Sequence, residues 1–161
     1  MPELRVGVLT SSDTRSSGEA EDTAGKALIE LVEARGWLVV AYHVCPDDVE
    51  CLSSSLMEMA DREEADVVIT CGGTGIGPRD VTPEATRAIA DREVPGIAEF
   101  VRAESLRVTP RAMLSRGVAA QRGRTLIVNM PGSEKAARET FGFVADQLEH
   151  AVDMMAGGGH P

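Results

Sequence analysis

Apolar residues recur along this chain at two alternating spacings. Residues 4–10 (LRVGVLT) form a short apolar run that predicts a first strand. A polar stretch, SSDTRSSGEAED, follows and reads as a loop. From Asp22 to Arg35 the apolar residues Ala24, Ala27, Leu28, Leu31 and Val32 return at helical spacing, and Gly36 is placed to end that helix. Residues 37–44 (WLVVAYHV) predict a second strand. Pro46-Asp47-Asp48 predicts a turn, and Val49, Leu52, Leu56, Met59 and Ala60 a second helix. Residues 66–71 (DVVITC) predict a third strand, apolar enough to be buried on both faces.

Beyond a glycine-rich stretch, Thr82-Pro83 reads as a helix start, with Thr82 as N-cap and Pro83 at the first helical position. Pro95-Gly96 opens another helix toward Leu106. Residues 117–120 and 126–128 predict two strands separated by Gln-Arg-Gly-Arg, the first a candidate edge strand. Pro131-Gly132-Ser133 leads into a last helix ending near Met155. Strands alternating with helices predict parallel strands joined by helical crossovers. The expected architecture is one three-layer α/β/α domain over residues 1–156 with a mostly parallel sheet, followed by a disordered tail at 157–161. In such a sheet, ligands bind at the carboxyl ends of the strands.

Composition narrows the function. The chain has 161 residues and a formal net charge of -10, which disfavours a nucleic-acid-coating role while leaving room for a local anion pocket. Its five aromatic residues, Trp37, Tyr42, Phe100, Phe141 and Phe143, make no base-stacking stripe. No apolar run approaches the roughly 20 residues that span a bilayer, and MPELRVGVLT lacks the features of a signal peptide. Cys45, Cys51 and Cys71 have no C-x-x-C spacing and read as free thiols of a cytoplasmic protein.

The candidate chemistry lies in loops that follow strands. Gly72, Gly73, Gly75 and Gly77 fall within six positions of TCGGTGIGPRDVTPEAT. This is neither a Walker A loop nor a dinucleotide fingerprint. Its bare backbone N–H groups and the following helix start make an anion cradle; the plain alternative is a tight turn. Asp80, just before the helix, is either a dipole-stabilising carboxylate or a ligand of Mg²⁺. Asp47 and Asp48 occupy the corresponding loop after the second strand, where one carboxylate can share the ion; the alternative is an ordinary turn. Ser11, Ser12 and Asp13 offer hydroxyls and amides after the first strand. Ser133 is a candidate N-cap, and Arg79, Arg116 and Lys135 are candidate cations for an anion.

Taken together, TCGGTGIGPRDVTPEAT, PDD at 46–48, SSDTRSSGEAEDTAG at 11–25, RAMLSR at 111–116 and NMPGSEKA at 129–136 resemble the MogA/MoaB family of molybdenum cofactor biosynthesis proteins, a domain that recurs in gephyrin. The resemblance spans about Val6 to Met155. It implies a trimeric α/β/α protein that binds molybdopterin and Mg-ATP, transfers the adenylyl group to the terminal phosphate of molybdopterin, and releases pyrophosphate. Contact with other molybdenum cofactor biosynthesis proteins is a further implication. Carried over by residue, it makes Asp47 and Asp80 catalytic and Mg²⁺-binding. It turns Gly72, Gly73, Thr74 and Gly75 toward nucleotide phosphates, with Ser12 and Asp13 in the first loop. It brings Pro131, Gly132 and Ser133 near the pterin phosphate. The sequence departs from the family where N-L-P-G-S-P is common and Asn129-Met-Pro-Gly-Ser-Glu134 stands here, putting a carboxylate near that phosphate. A non-catalytic molybdopterin-binding scaffold and another nucleotide-using enzyme on this fold are the alternative readings.

Overall fold

The computed structural model describes residues 3–158. Its strands are β1 (Arg5–Ser11), β2 (Leu38–Cys45), β3 (Val67–Cys71), β4 (Arg92–Glu93), β5 (Ala119–Arg122) and β6 (Thr125–Met130). Its helices are α1 (Asp13–Ser16), α2 (Thr23–Ala34), α3 (Val49–Met57), α4 (Thr82–Ile89), α5 (Pro95–Leu106) and α6 (Glu134–Met155). A π turn extends α3 over Glu58–Arg62, and a 3-10 segment covers Pro110–Leu114. The six strands form one sheet in the order β2-β1-β3-β6-β5-β4.

The first four strands in that order run parallel, and their registers explain the location of the loops. Ser11 pairs with Cys45, Thr10 with Cys71, and Cys71 with Met130. The strands therefore end level, and the segments after β1, β2, β3 and β6 leave the sheet along one edge, as expected for this fold class.

Both faces of the sheet are covered. Val6, Val8, Val67, Ile69, Leu126 and Val128 face a core shared with Leu28 and Val32 of α2 and Phe141 and Leu148 of α6. The alternate residues Leu9, Val68 and Ile127 face Leu52 and Leu56 of α3 and Ala85 and Ile89 of α4. This period of two, buried on each side, is what makes the central strands read as continuous apolar runs. Each large buried side chain contributes on the order of 1.5–3 kcal/mol.

Three expectations are corrected. Residues 117–120 do not form an edge: β5 pairs with β6 on one side and with the two-residue β4 on the other. The ladder also takes in Gln121 and Arg122, leaving Gly123, at φ 55°, and Arg124 for a tight hairpin turn. The polar stretch after β1 contains a helical turn, α1, capped by the Ser12 side chain. Thr82 lies within α4 rather than capping it. Val81 takes the cap position without a side-chain bond, and the Thr82 hydroxyl donates to the Gly72 carbonyl at 2.9 Å. Of the expected tail, Gly157 and Gly158 close the end of α6 through bonds to Met154 and Asp153. The remainder, 159–161, lies outside the described residues.

Candidate functional site

Three of the four loops at the sheet edge are fixed by a side chain that caps a helix beyond them; the glycine loop, which enters α4 at Val81, is not. Asp22 accepts from the Gly25 N–H at α2, Asp48 from Cys51 at α3, and Ser133 from Ala136 at α6. Such caps satisfy otherwise orphaned amides and are each worth about 1 kcal/mol. The Asp48 cap separates the two aspartates of the PDD turn. Asp48 serves its own helix, while Asp47 faces the first loop.

Asp47 is held on both oxygens. The Ser11 hydroxyl donates to Oδ1 at 2.7 Å and the Asp13 amide to Oδ2 at 3.1 Å. In return the Asp47 amide donates to Asp13 Oδ1 at 3.0 Å. Asp13 is gripped from the other side by Arg79, whose Nε and Nη2 reach its two oxygens at 3.0 and 2.9 Å. Hydrogen bonding from Arg79 holds the Asp13 carboxyl below its ordinary value, with a bond from the Asp47 amide adding to the effect. The loops after β1, β2 and β3 are thus clasped through a single carboxylate.

The glycine loop is built around Asp80. Its Oδ2 accepts the Gly77 amide at 2.9 Å, and a Cβ on either Gly75 or Gly77 would stand 2.9 Å from that oxygen. Gly72 and Gly73 have φ of 94° and 69°. A Cβ on Gly72 would fall 2.3 Å from the Ser11 carbonyl oxygen, and one on Gly73 would fall 2.3 Å from the Thr82 hydroxyl. The glycine cluster is therefore required first by the chain's approach to itself: two positions need left-handed backbone and two make room for a carboxylate.

The last loop abuts the glycine loop. A Cβ on Gly132 would lie 3.1 Å from Gly72 Cα. The Gly132 carbonyl accepts from Arg15 at 2.9 Å, and Arg15 stands 3.6 Å from the buried Asp22. Asp22 also accepts from the Thr10 hydroxyl at 2.7 Å and from the Tyr42 hydroxyl. Burial, then the bond to Asp22, pushes the Tyr42 pKa up.

The candidate cations are already engaged. Arg79 binds Asp13, Lys135 stands 3.8 Å from Glu139, and Arg116 forms a bidentate pair with Glu84 at 2.8 and 3.1 Å. Glu134, the departure in the last loop, stands 3.8 Å from Arg138. Sequence reasoning did not foresee Ser11 as the partner of Asp47, nor Arg15 as the link to Gly132. Neither residue carries a local signature beyond being polar.

Among the described residues, no group of three or more His, Cys, Asp and Glu forms a metal cage. Mg²⁺ needs no such cage, since it takes one or two carboxylates and completes its octahedron with substrate phosphates and water. Asp80 has one carboxylate oxygen without a hydrogen bond, and Asp47 is rigidly oriented. Beside the glycine loop lies a cavity of about 280 Å³ bounded by Thr74, Gly75, Val101, Arg111, Ser115, Asn129, Pro131 and Glu139. A second, more apolar groove of about 480 Å³ lies between α5 and α6 and includes Phe100, Phe143, Met154 and Met155. Among the described residues no helix is long and apolar enough to cross a membrane.

The cinnamon molybdenum cofactor synthesis protein of Drosophila melanogaster is 42% identical over 156 residues, covering 96% of this chain but 26% of its own length. A molybdopterin adenylyltransferase of Helicobacter pylori J99 is 38% identical over 98% of this chain and 90% of its own. The crystal structure of the molybdopterin biosynthesis enzyme MoaB of Thermus thermophilus superposes with a TM-score of 0.89. It is 50% identical and covers 96% of this chain and 97% of its own. The family model described as "Probable molybdopterin binding domain" matches residues 7–150, which takes in all four loops. By fold, loop order and sequence together, this chain belongs to that molybdopterin-binding domain family of molybdenum cofactor biosynthesis.

Proposed function

We propose that this chain is a molybdopterin adenylyltransferase that transfers the adenylyl group of Mg-ATP to the terminal phosphate of molybdopterin. The supporting observation is the arrangement at the strand ends: Asp80 set inside a glycine loop, with a braced Asp47 in the adjoining loop system. Relatives matched over 90% and 79% of their own length bear the adenylyltransferase name.

In this reading a phosphate oxygen of molybdopterin attacks the α-phosphorus of ATP. The bond to the β-phosphate oxygen breaks, and pyrophosphate leaves. Two polyanions meet, so alignment and charge neutralisation dominate the barrier. Asp80 and Asp47 would hold Mg²⁺, which supplies charge to the ATP phosphates when bound. Glycine-loop amides hold phosphate oxygens without adding charge. Ser12, Asp13, Gly72, Gly73, Thr74 and Gly75 line the nucleotide side, and Pro131, Gly132 and Ser133 the pterin phosphate side. The cavity beside Thr74 and Pro131 takes the pterin ring. A phosphate monoester is already ionised near pH 7, so no general base is required.

The protein works in the cytoplasm as a homotrimer, with the α5–α6 groove and exposed Phe100 and Met154 covered by neighbouring copies. Multi-angle light scattering tests that assembly; a monomer at micromolar concentration removes it. The activity is tested by pyrophosphate release with Mg-ATP, with and without molybdopterin. Molybdopterin-dependent release supports the proposal. Binding without release points to a scaffold, and release without molybdopterin to a different nucleotide-using enzyme. Asp80→Asn is expected to remain folded and lose at least about 100-fold in rate; near-normal turnover in that variant removes the metal assignment.

A further inference from the structure

Arg116 reads from sequence as a cation available to an anion. The structure gives it a different task. Its main-chain N–H donates to the Thr74 carbonyl at 2.7 Å. Its Nε donates to the Gly75 carbonyl and its Nη2 to the Asp80 carbonyl, each at 2.7 Å. The remaining direction of the guanidinium is filled by Glu84, at 2.8 and 3.1 Å. One residue of the segment before β5 thus ties down both ends of the loop 74–80, which contributes no carbonyl–amide ladder of its own to the sheet. Glu84 sits in the first turn of α4, so the anchor is itself anchored to the helix that the loop enters.

The chemistry of those partners is informative. A loop that receives a polyanion must direct N–H groups toward it and keep carbonyl oxygens away. Three carbonyls of the candidate phosphate loop are occupied by Arg116, including that of Asp80. The Asp80 side chain is fixed independently by the Gly77 amide. Main chain and carboxylate of Asp80 are therefore both oriented, one by Arg116 and one by the loop. The Arg116 charge is balanced by Glu84, which suits a fixture rather than a phosphate ligand: hydrogen bonding from Arg116 holds the Glu84 carboxyl below its ordinary value.

We infer that Arg116 is a positioning residue for the proposed adenylyl transfer. Its guanidinium orients the glycine loop and Asp80 through the carbonyls of Gly75 and Asp80 without contacting substrate, while its main-chain bond to Thr74 sets the start of the loop. The inference rests on the adenylyltransferase reading for its kinetic consequence and on the loop geometry alone for its structural one. The planar fork is essential, because a lysine ammonium is a point donor that cannot reach Gly75, Asp80 and Glu84 in one plane.

The test uses Arg116→Lys and Arg116→Ala in the full chain, after thermal melts show both folded. The expected result is a loss in kcat of roughly 10- to 100-fold at saturating Mg-ATP, with KM for molybdopterin little changed. Added methylguanidinium should restore part of the Arg116→Ala rate. Hydrogen exchange should speed up at the Gly77 and Asp80 amides, which are hydrogen-bonded within the loop, and stay unchanged in α6. A folded Arg116→Lys variant with kcat within about twofold of the parent, or a loss confined to KM for ATP, overturns the inference. Should the parent itself show no molybdopterin-dependent pyrophosphate release, the adenylyltransferase reading falls. The inference is then decided by exchange alone: unchanged Gly77 and Asp80 amides overturn it.

Discussion

Replacing Gly72 by alanine tests the central claim about the glycine loop, and replacing Gly123 by alanine supplies its control. Both residues have positive φ, 94° and 55°. The added methyl at Gly123 meets nothing within 4 Å, so only backbone strain acts there. That strain costs about 1–2 kcal/mol, partly offset by the reduced freedom of the unfolded chain, for a net of about 1 kcal/mol. At Gly72 the methyl would stand 2.3 Å from the Ser11 carbonyl oxygen, well inside the 3.0 Å below which real Cβ atoms are essentially not found. Ser11 cannot retreat cheaply: it ends β1, is paired with Cys45, and its hydroxyl holds Asp47. Overpacking of this kind adds about 1–3 kcal/mol. The expected loss for Gly72→Ala is therefore about 3 kcal/mol or more. The gap from the control, about 2 kcal/mol, is roughly 30-fold in the folding equilibrium. Urea unfolding at one fixed protein concentration measures it, with an unchanged m-value confirming that stability alone has moved. Equal losses for the two variants would refute the argument that chain-to-chain approach requires Gly72.

Other consequences can be checked alongside. Asp22→Ala should cost about 3 kcal/mol or more in the same urea assay, because it removes at once the carboxylate shared by Thr10, Tyr42, the Gly25 amide and Arg15. A loss under about 1 kcal/mol would mean the buried carboxylate is replaceable by packing. The Asp13 carboxyl titrates below its ordinary 3.8 in the folded state, so its contribution to stability is present above that pH and is lost as pH falls through the lower folded value. Carboxyl NMR of Asp13 should show this depression, and Arg79→Ala should remove most of it. Burial pushes the Cys45 thiol up to about 11 and the Cys71 thiol to about 12. Neither should alkylate at pH 8 until the protein unfolds, and rapid labelling of Cys45 or Cys71 in the folded protein would contradict that burial.

The elements with strong periodicity were legible in the sequence: the three long parallel strands, α2, α3 and the long α6, whose caps Asp22 and Ser133 stand where helix-start chemistry demands. Two misreadings share a cause. Thr82-Pro83 carries the local signature of a cap, yet the hydroxyl serves a carbonyl ten residues back. β4 is two charged residues whose strand character exists only because β5 lies beside them. The candidate site was legible as a list of loops, not as a network. Asp47 could be singled out, but Ser11 as its partner follows only from the register of β1 on β2. In the sequence Arg116 is a candidate cation for an anion, because its carbonyl partners leave no mark in side-chain chemistry.

That minimal β4 also governs how the molecule behaves among its neighbours. An open sheet margin is a template for another chain, and a long apolar one invites stacking into fibres. Here one margin stops after Arg92 and Glu93, both exposed. Arg92 is drawn back onto Gln121 and Glu93 is paired with Arg87. Any strand arriving there must displace charged side chains for only two residues of pairing. The β4 side of the sheet is thereby protected against runaway strand addition.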